Sequence, residues 1–314
     1  MDASRHPRAA RRLARVPLLC LPLAVLACSY FPSHEEVYIP IPLDVGEPLI
    51  ENGDTNYVLT GPGFRMIASR QQLLADARHD IESAVRQFER YFGESPEEVT
   101  IRYVDSLDAR ELRDREIERL AGGARHTGEI VLPARRMPVY RGDRNPPPPS
   151  AAPAAARRWI VAHARRTADA ARGGHSSPTD TVRIPAWIAT AMGDLVAYGT
   201  ATNASARELW DRRSQLLDLR RLFSLDRLDP ERSPEARISD DDIERLTLRR
   251  LQSTSIARYM VEREDARYLG TVAERLFIGQ GIEEALQGAQ VMPTDLDELE
   301  QAWRAWIEQV ATGR

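Results

Sequence analysis

Residues that could act as nucleophiles or ligands are sparse. The chain has two cysteines, Cys20 and Cys28, and 6 histidines. There is no Gly-x-Ser-x-Gly turn to raise a serine nucleophile. There is no Gly-x-x-x-x-Gly-Lys loop to cradle phosphates either, and every one of the 43 basic side chains is arginine. Acidic side chains number 47, enough to permit a paired acid and base, but no spacing singles out a pair. Trp159, Trp187, Trp303 and Trp306 stand at helical spacing beside apolar partners. That is the pattern of core packing rather than of a sugar or peptide platform.

Cys28 is the cysteine with a chemical context. Arg5, Arg8, Arg11, Arg12 and Arg15 precede an apolar run from Val16 to Ala27. A basic stretch followed by a short apolar run is the physical form of an export signal. The run falls short of the roughly 20 residues a spanning helix needs. Its end, Val25-Leu26-Ala27-Cys28, resembles a bacterial lipobox. The resemblance implies that residues 1–27 are removed and that Cys28 carries acyl chains. The expected product is exported and anchored to the cell membrane or the outer membrane, facing the periplasm. Cys20 leaves with the signal, so neither a disulfide nor a free thiol nucleophile remains, and the fold must rest on its core. The removed segment holds five arginines and one aspartate, so the exported part is more acidic than the whole chain, whose net charge is −4. That balance argues against a nucleic-acid partner. A content of 42% hydrophobic and 29% charged residues describes an ordinary globular chain. At 314 residues it is long enough to bury a large core.

The elements follow from periodicity. Residues 28–56, with Pro32, Pro40, Pro42 and Pro48, read as a tether and irregular lead-in. Strands are expected at Tyr57–Thr60 and Phe64–Ala68 around Gly61-Pro62-Gly63. Ser69 with Gln72 suggests a capping box that opens a long helix. Leu74, Ala77, Ile81, Val85, Phe88 and Phe92 form its apolar stripe, and Gly93 ends it. Val99–Val104 alternates as a half-buried strand does. A charged helix over about 107–120 and a strand at Glu129–Leu132 follow. The Pro-rich stretch 145–153 is expected to be neither helix nor strand. Helices are then expected at about 154–172, 185–199, 204–222, 240–252, 255–263, 265–278, 281–287 and 295–311. The charges at 239–244 and 249–250 read as a solvated face. Strands first and helices after is the α+β pattern: a small N-terminal mixed sheet with a long helix, then a mainly helical C-terminal half.

Several strings, in this order, resemble the gluzincin metallopeptidases of the "peptidase MA" group. They are Phe64-Arg65-Met66-Ile67, Phe88 to Gly93 with Pro96, and Gly128-Glu129-Ile130-Val131-Leu132-Pro133. Trp159-Ile160-Val161-Ala162-His163, Ile184-Pro185-Ala186-Trp187-Ile188 and Ser224-Leu225-Asp226-Arg227-Leu228 continue the series, with the final segment carrying Trp303 and Trp306. The resemblance implies a zincin-like domain over 57–314. In it, the Ile130 strand is an edge along which a peptide lies, the His163 helix carries HExxH, and the helix after Pro185 carries the third ligand.

HExxH places two histidines on one helical face around a zinc ion, with a glutamate as base and a further glutamate from the next helix. This sequence departs from that pattern. It reads His163-Ala164-Arg165-Arg166-Thr167, and Thr190 stands where the third ligand should be. Ala164 cannot move a proton, and a threonine hydroxyl is a poor ligand beside imidazole. Arg165 and Arg166 would repel a nearby cation. His79, His126, His175, Asp169 and Asp194 are the other donors that could rebuild a site. Asp194, one turn beyond Thr190, could pair with His163. The expectation is a domain without metal, cofactor or catalysis that binds a peptide or protein partner. The alternatives are an active zinc-dependent hydrolase with relocated ligands, and a structural cell-envelope protein whose cleft has closed.

Overall fold

Alternating apolar residues at Phe64–Ala68 and Val99–Val104 pair as strands, and the apolar stripe of the long helix packs on them. The computed structural model describes residues 46–51, 54–104, 129–134, 150–173, 184–199, 203–225, 228 and 239–313. The expected export signal, Cys28, the charged helix expected near 107–120, His126 and His175 lie outside the described residues, as do 145–149 of the Pro-rich stretch.

The fold is α+β. Strands β1 (Glu47–Glu51), β2 (Asp54–Gly61), β3 (Phe64–Ala68), β4 (Val99–Val104) and β5 (Ile130–Pro133) lie side by side in chain order. The first three are antiparallel, and β3, β4 and β5 are parallel, so the sheet is mixed. The long helix α1 (Gln71–Phe92) makes the crossover from β3 to β4. Helices α2 (Ala152–Ala171), α3 (Ala186–Tyr198), α4 (Asn203–Asp211), α5 (Leu219–Phe223), α6 (Asp240–Arg263), α7 (Ala266–Phe277), α8 (Ile282–Ala285) and α9 (Leu296–Thr312) follow. The β-then-α order thus holds, and among the described strands β5 lies at an edge of the sheet. No helix among the described residues is long and apolar enough to cross a membrane.

Local readings differ at definable places. The lead-in is not wholly irregular, because β1 and the start of β2 form a hairpin within it. Pro48 sits on this edge strand, where a missing N–H is tolerated. The capping box at Ser69 does not form. The helix starts later, Arg70 is the N-cap, and Gln72 instead bonds Asp76. Pro153 lies in the first turn of α2, where its missing N–H costs no helical bond. The expected helix 204–222 breaks into α4, a short 3₁₀ turn at Arg213–Gln215 and α5, which Asp218 caps. The two helices expected over 240–263 are one. Ser253 donates back to the Arg249 carbonyl, so its hydroxyl is satisfied inside the helix. The 239–250 segment is not a plain solvated face either. Ser239 and Asp242 form a capping box, and Arg249 is buried.

The core is continuous from sheet to C-terminal helix. Trp159, Trp187 and Trp303 are fully buried and Trp306 nearly so, as their spacing predicts. The Trp159 indole donates to the Gly63 carbonyl at 2.9 Å, which ties α2 to the β2–β3 turn. Helix α1 ends at Gly93, a left-handed residue whose N–H reaches the Glu89 carbonyl. Helix α7 crosses α1 so closely that a Cβ on Gly270 would stand 2.0 Å from the Tyr91 carbonyl oxygen.

Candidate functional site

Helices α2 and α3, which carry the motif positions, pack against each other. Their closest approach includes Gly193, where a Cβ would meet Arg157 Cγ at 3.0 Å. The two segments that sequence reading joined are therefore neighbours. Their polar side chains, however, do not meet at a common point.

His163 is 5% exposed and sits where α1, α2 and α7 converge. Its Nδ1 lies 2.8 Å from Glu94 Oε1, just beyond the end of α1. Its Nε2 lies 3.2 Å from Glu274 Oε1 on α7. An ionised carboxylate only accepts, so whichever ring nitrogen carries a proton donates to the carboxylate it faces, and Arg166 Nη2 also lies 3.4 Å from Nδ1. Aromatic rings enclose the imidazole. Phe92 is tilted at 4.2 Å between centroids, and Phe88 and Phe277 stand edge-on at 5.8 and 6.3 Å. Arg166, one turn along α2, bonds both Glu94 and Glu97. Burial alone would raise the Glu94 carboxyl, but the hydrogen bonds from Arg166 and His163 outweigh it and hold the group below its ordinary value.

The other positions are occupied differently. Ala164 is fully buried and Thr167 half-buried. Thr190 is fully buried, and its hydroxyl has no hydrogen-bond partner among the described residues. Asp194 does not pair with His163. It takes a two-pronged bond from Arg250 on α6, at 2.7 Å for both contacts, and a third from Thr254 at 3.0 Å. Asp169 is half-buried, and His79 is exposed on α1 beside Asp80, Ser83 and Gln87 in an open depression of about 330 Å³ that reaches Tyr198. Neither β5 nor His163 lines that depression, nor a second one of about 310 Å³ at Glu264–Tyr268.

These residues do not fit a zinc ion. A catalytic zinc needs three protein donors converging at about 2 Å, with one position open. Here the two carboxylates stand at different nitrogens of one imidazole ring, so their oxygens diverge. Among the described residues, no group of three histidine, cysteine or acidic side chains is placed to hold a metal.

Sequence reasoning found His163 but missed Glu94, Glu274 and Arg250. Glu94 follows the helix-ending glycine, a local hint. Nothing local marks Glu274 or Arg250. No protein-family model, curated protein or solved structure matches this chain.

Proposed function

We propose that the chain is an exported lipoprotein, held through acylated Cys28 at the periplasmic face of the cell membrane or outer membrane. Its folded part is a metallopeptidase-like domain that works by binding a peptide or protein and not by catalysis. One observation carries the non-catalytic part of this reading. The one histidine at a motif position has a different carboxylate at each ring nitrogen, and those carboxylates diverge instead of converging with the ring on one point. The departures at Ala164, Thr167 and Thr190 support the same reading.

The test is elemental analysis of the purified protein together with a peptide-cleavage screen. The expected result is no stoichiometric zinc and no chelator-sensitive cleavage. Zinc at one equivalent with cleavage that a chelator abolishes would overturn the reading. The anchor is tested separately, since Cys28→Ala should move the protein from the membrane to the soluble fraction. Unchanged localisation would remove the lipoprotein assignment.

A second reading, a structural envelope protein whose cleft has closed, has its own support. Three phenylalanines fill the space around His163. Hydrogen exchange in the presence of a peptide library separates the two, since protection along β5 favours binding and none favours closure.

A further inference from the structure

We propose that the place on α2 where the resemblance puts a catalytic metal is a metal-free clamp, in which His163 locks α2 to both α1 and α7. This deepens the non-catalytic reading and rests on it only for the placing of the motif. The clamp itself follows from contacts.

Its first arm runs from His163 Nδ1 to Glu94, whose same carboxylate oxygen also accepts from Arg166. Arg166 in turn reaches Glu97, so the turn between α1 and β4 is held to α2 at two carboxylates. The second arm runs from His163 Nε2 to Glu274, which holds α7. Phe88 and Phe92 of α1 and Phe277 of α7 close around the ring. In that surrounding, a charged hydrogen bond is screened less than at an open surface. The close passage of α7 over α1 at Gly270 belongs to the same junction.

The orientation of α2 explains why this cluster is not half of a metal cradle. The face of α2 nearest α3 bears Arg157, against Gly193. Six residues further on, His163 lies about 120° around the helix axis from that face. Its polar contacts, Glu94, Glu274 and Arg166, all come from outside α3. Thr190 and Asp194 lie on a helix packed against α2, yet neither bonds the imidazole, and Asp194 is spent on α6. Restoring the residue types of the motif would not restore its geometry.

The test is a pair of double-mutant cycles followed by urea unfolding of the whole protein. His163→Gln and Glu274→Gln should each lower the unfolding midpoint. Together they should lose less than the sum, with a coupling of about fivefold in the unfolding equilibrium constant. His163→Gln and Thr190→Val should combine additively. Absence of coupling between 163 and 274, or coupling of that size between 163 and 190, would overturn the clamp. Should the His163 variant fail to fold, the wild-type protein still decides. Its midpoint should be the same in excess EDTA and in excess zinc, and a midpoint raised by zinc would overturn the metal-free claim. A raised midpoint without peptide cleavage sinks the clamp alone, whereas chelator-sensitive cleavage sinks the non-catalytic reading.

Discussion

Two charged clusters sit on neighbouring helices and behave differently. On α3, Asp194 meets Arg250 in a bidentate pair whose side chains are 9% and 14% exposed, and Thr254 fills a further lone pair. On α2, His163 is equally hidden, but its partners Glu94 and Glu274 remain 48% and 31% exposed. The first is a sealed ion pair, which water cannot relieve if one partner is lost. The second is a buried donor whose acceptors reach solvent. The two clusters also tie their helices to different neighbours. Asp194 joins α3 to α6, and His163 joins α2 to α1 and α7. Proximity of two helices in space therefore does not make a shared site; the angular position of each side chain decides.

The sharpest way to break that contrast is to remove one side of the sealed pair. Arg250→Met leaves Asp194 buried without its cation, and the expected loss is about 3–5 kcal/mol in urea unfolding. Adding Asp194→Leu should recover most of it, because two apolar groups replace a pair that cost desolvation. A loss for Arg250→Met no larger than that for His163→Gln would show that the sealed and vented clusters do not differ. Gly270→Ala tests the frame around the vented cluster. Its Cβ would collide with the Tyr91 carbonyl at 2.0 Å, which is backbone and cannot swing aside. Helix α7 must then lift from α1 and carry Glu274 with it. The expected loss is about 1–3 kcal/mol, and the coupling between 163 and 274 should shrink in that background.

Acid should weaken the vented cluster. The Glu94 carboxyl lies below its ordinary value in the folded protein. Its contribution is present above the ordinary carboxylate pKa and is lost as pH falls through the lowered folded value. Glu264 behaves in the same sense, since three backbone N–H groups, from Val291, Met292 and Gln290, outweigh the desolvation that would raise it. Below pH of about 4, stability should drop, and Glu94→Gln should flatten that limb slightly because the group is half exposed. An unchanged acid limb in Glu94→Gln would show that the carboxylate does not need its charge to hold His163.

What the sequence revealed follows the reach of its physics. The bounds of β3 and β4 and the end of α1 were legible, because alternation, a 3.6-residue stripe and a glycine stop act within a few residues. The β1–β2 hairpin also leaves a signal in the sequence. Asn52-Gly53 stands between Glu51 and Asp54, which pair across the hairpin, a two-residue signal that the surrounding prolines obscured. The partners of His163 were not legible. Glu94 is 69 residues away and Glu274 is 111 away, and no local pattern encodes which carboxylate folds back on a given ring. The pairing of Asp194 with His163 failed for the same reason: helix periodicity put Asp194 on the face of Thr190 but could not say that α6 packs there.

The smallest effect concerns Thr190, and it bears directly on what α3 is for. Its hydroxyl is fully buried and has no hydrogen-bond partner among the described residues, which leaves its desolvation uncompensated there. Thr190→Val keeps the shape and removes that group. If α3 only packs, the substitution should be neutral or should stabilise by up to about 1 kcal/mol, read as a raised urea midpoint. If instead position 190 serves a bound ligand, the hydroxyl has a partner in the working state, and the substitution should weaken binding while leaving the unliganded midpoint unchanged. A raised midpoint with unaltered binding would place Thr190 with Ala164, as filling between helices that pack together without sharing the polar cluster at His163.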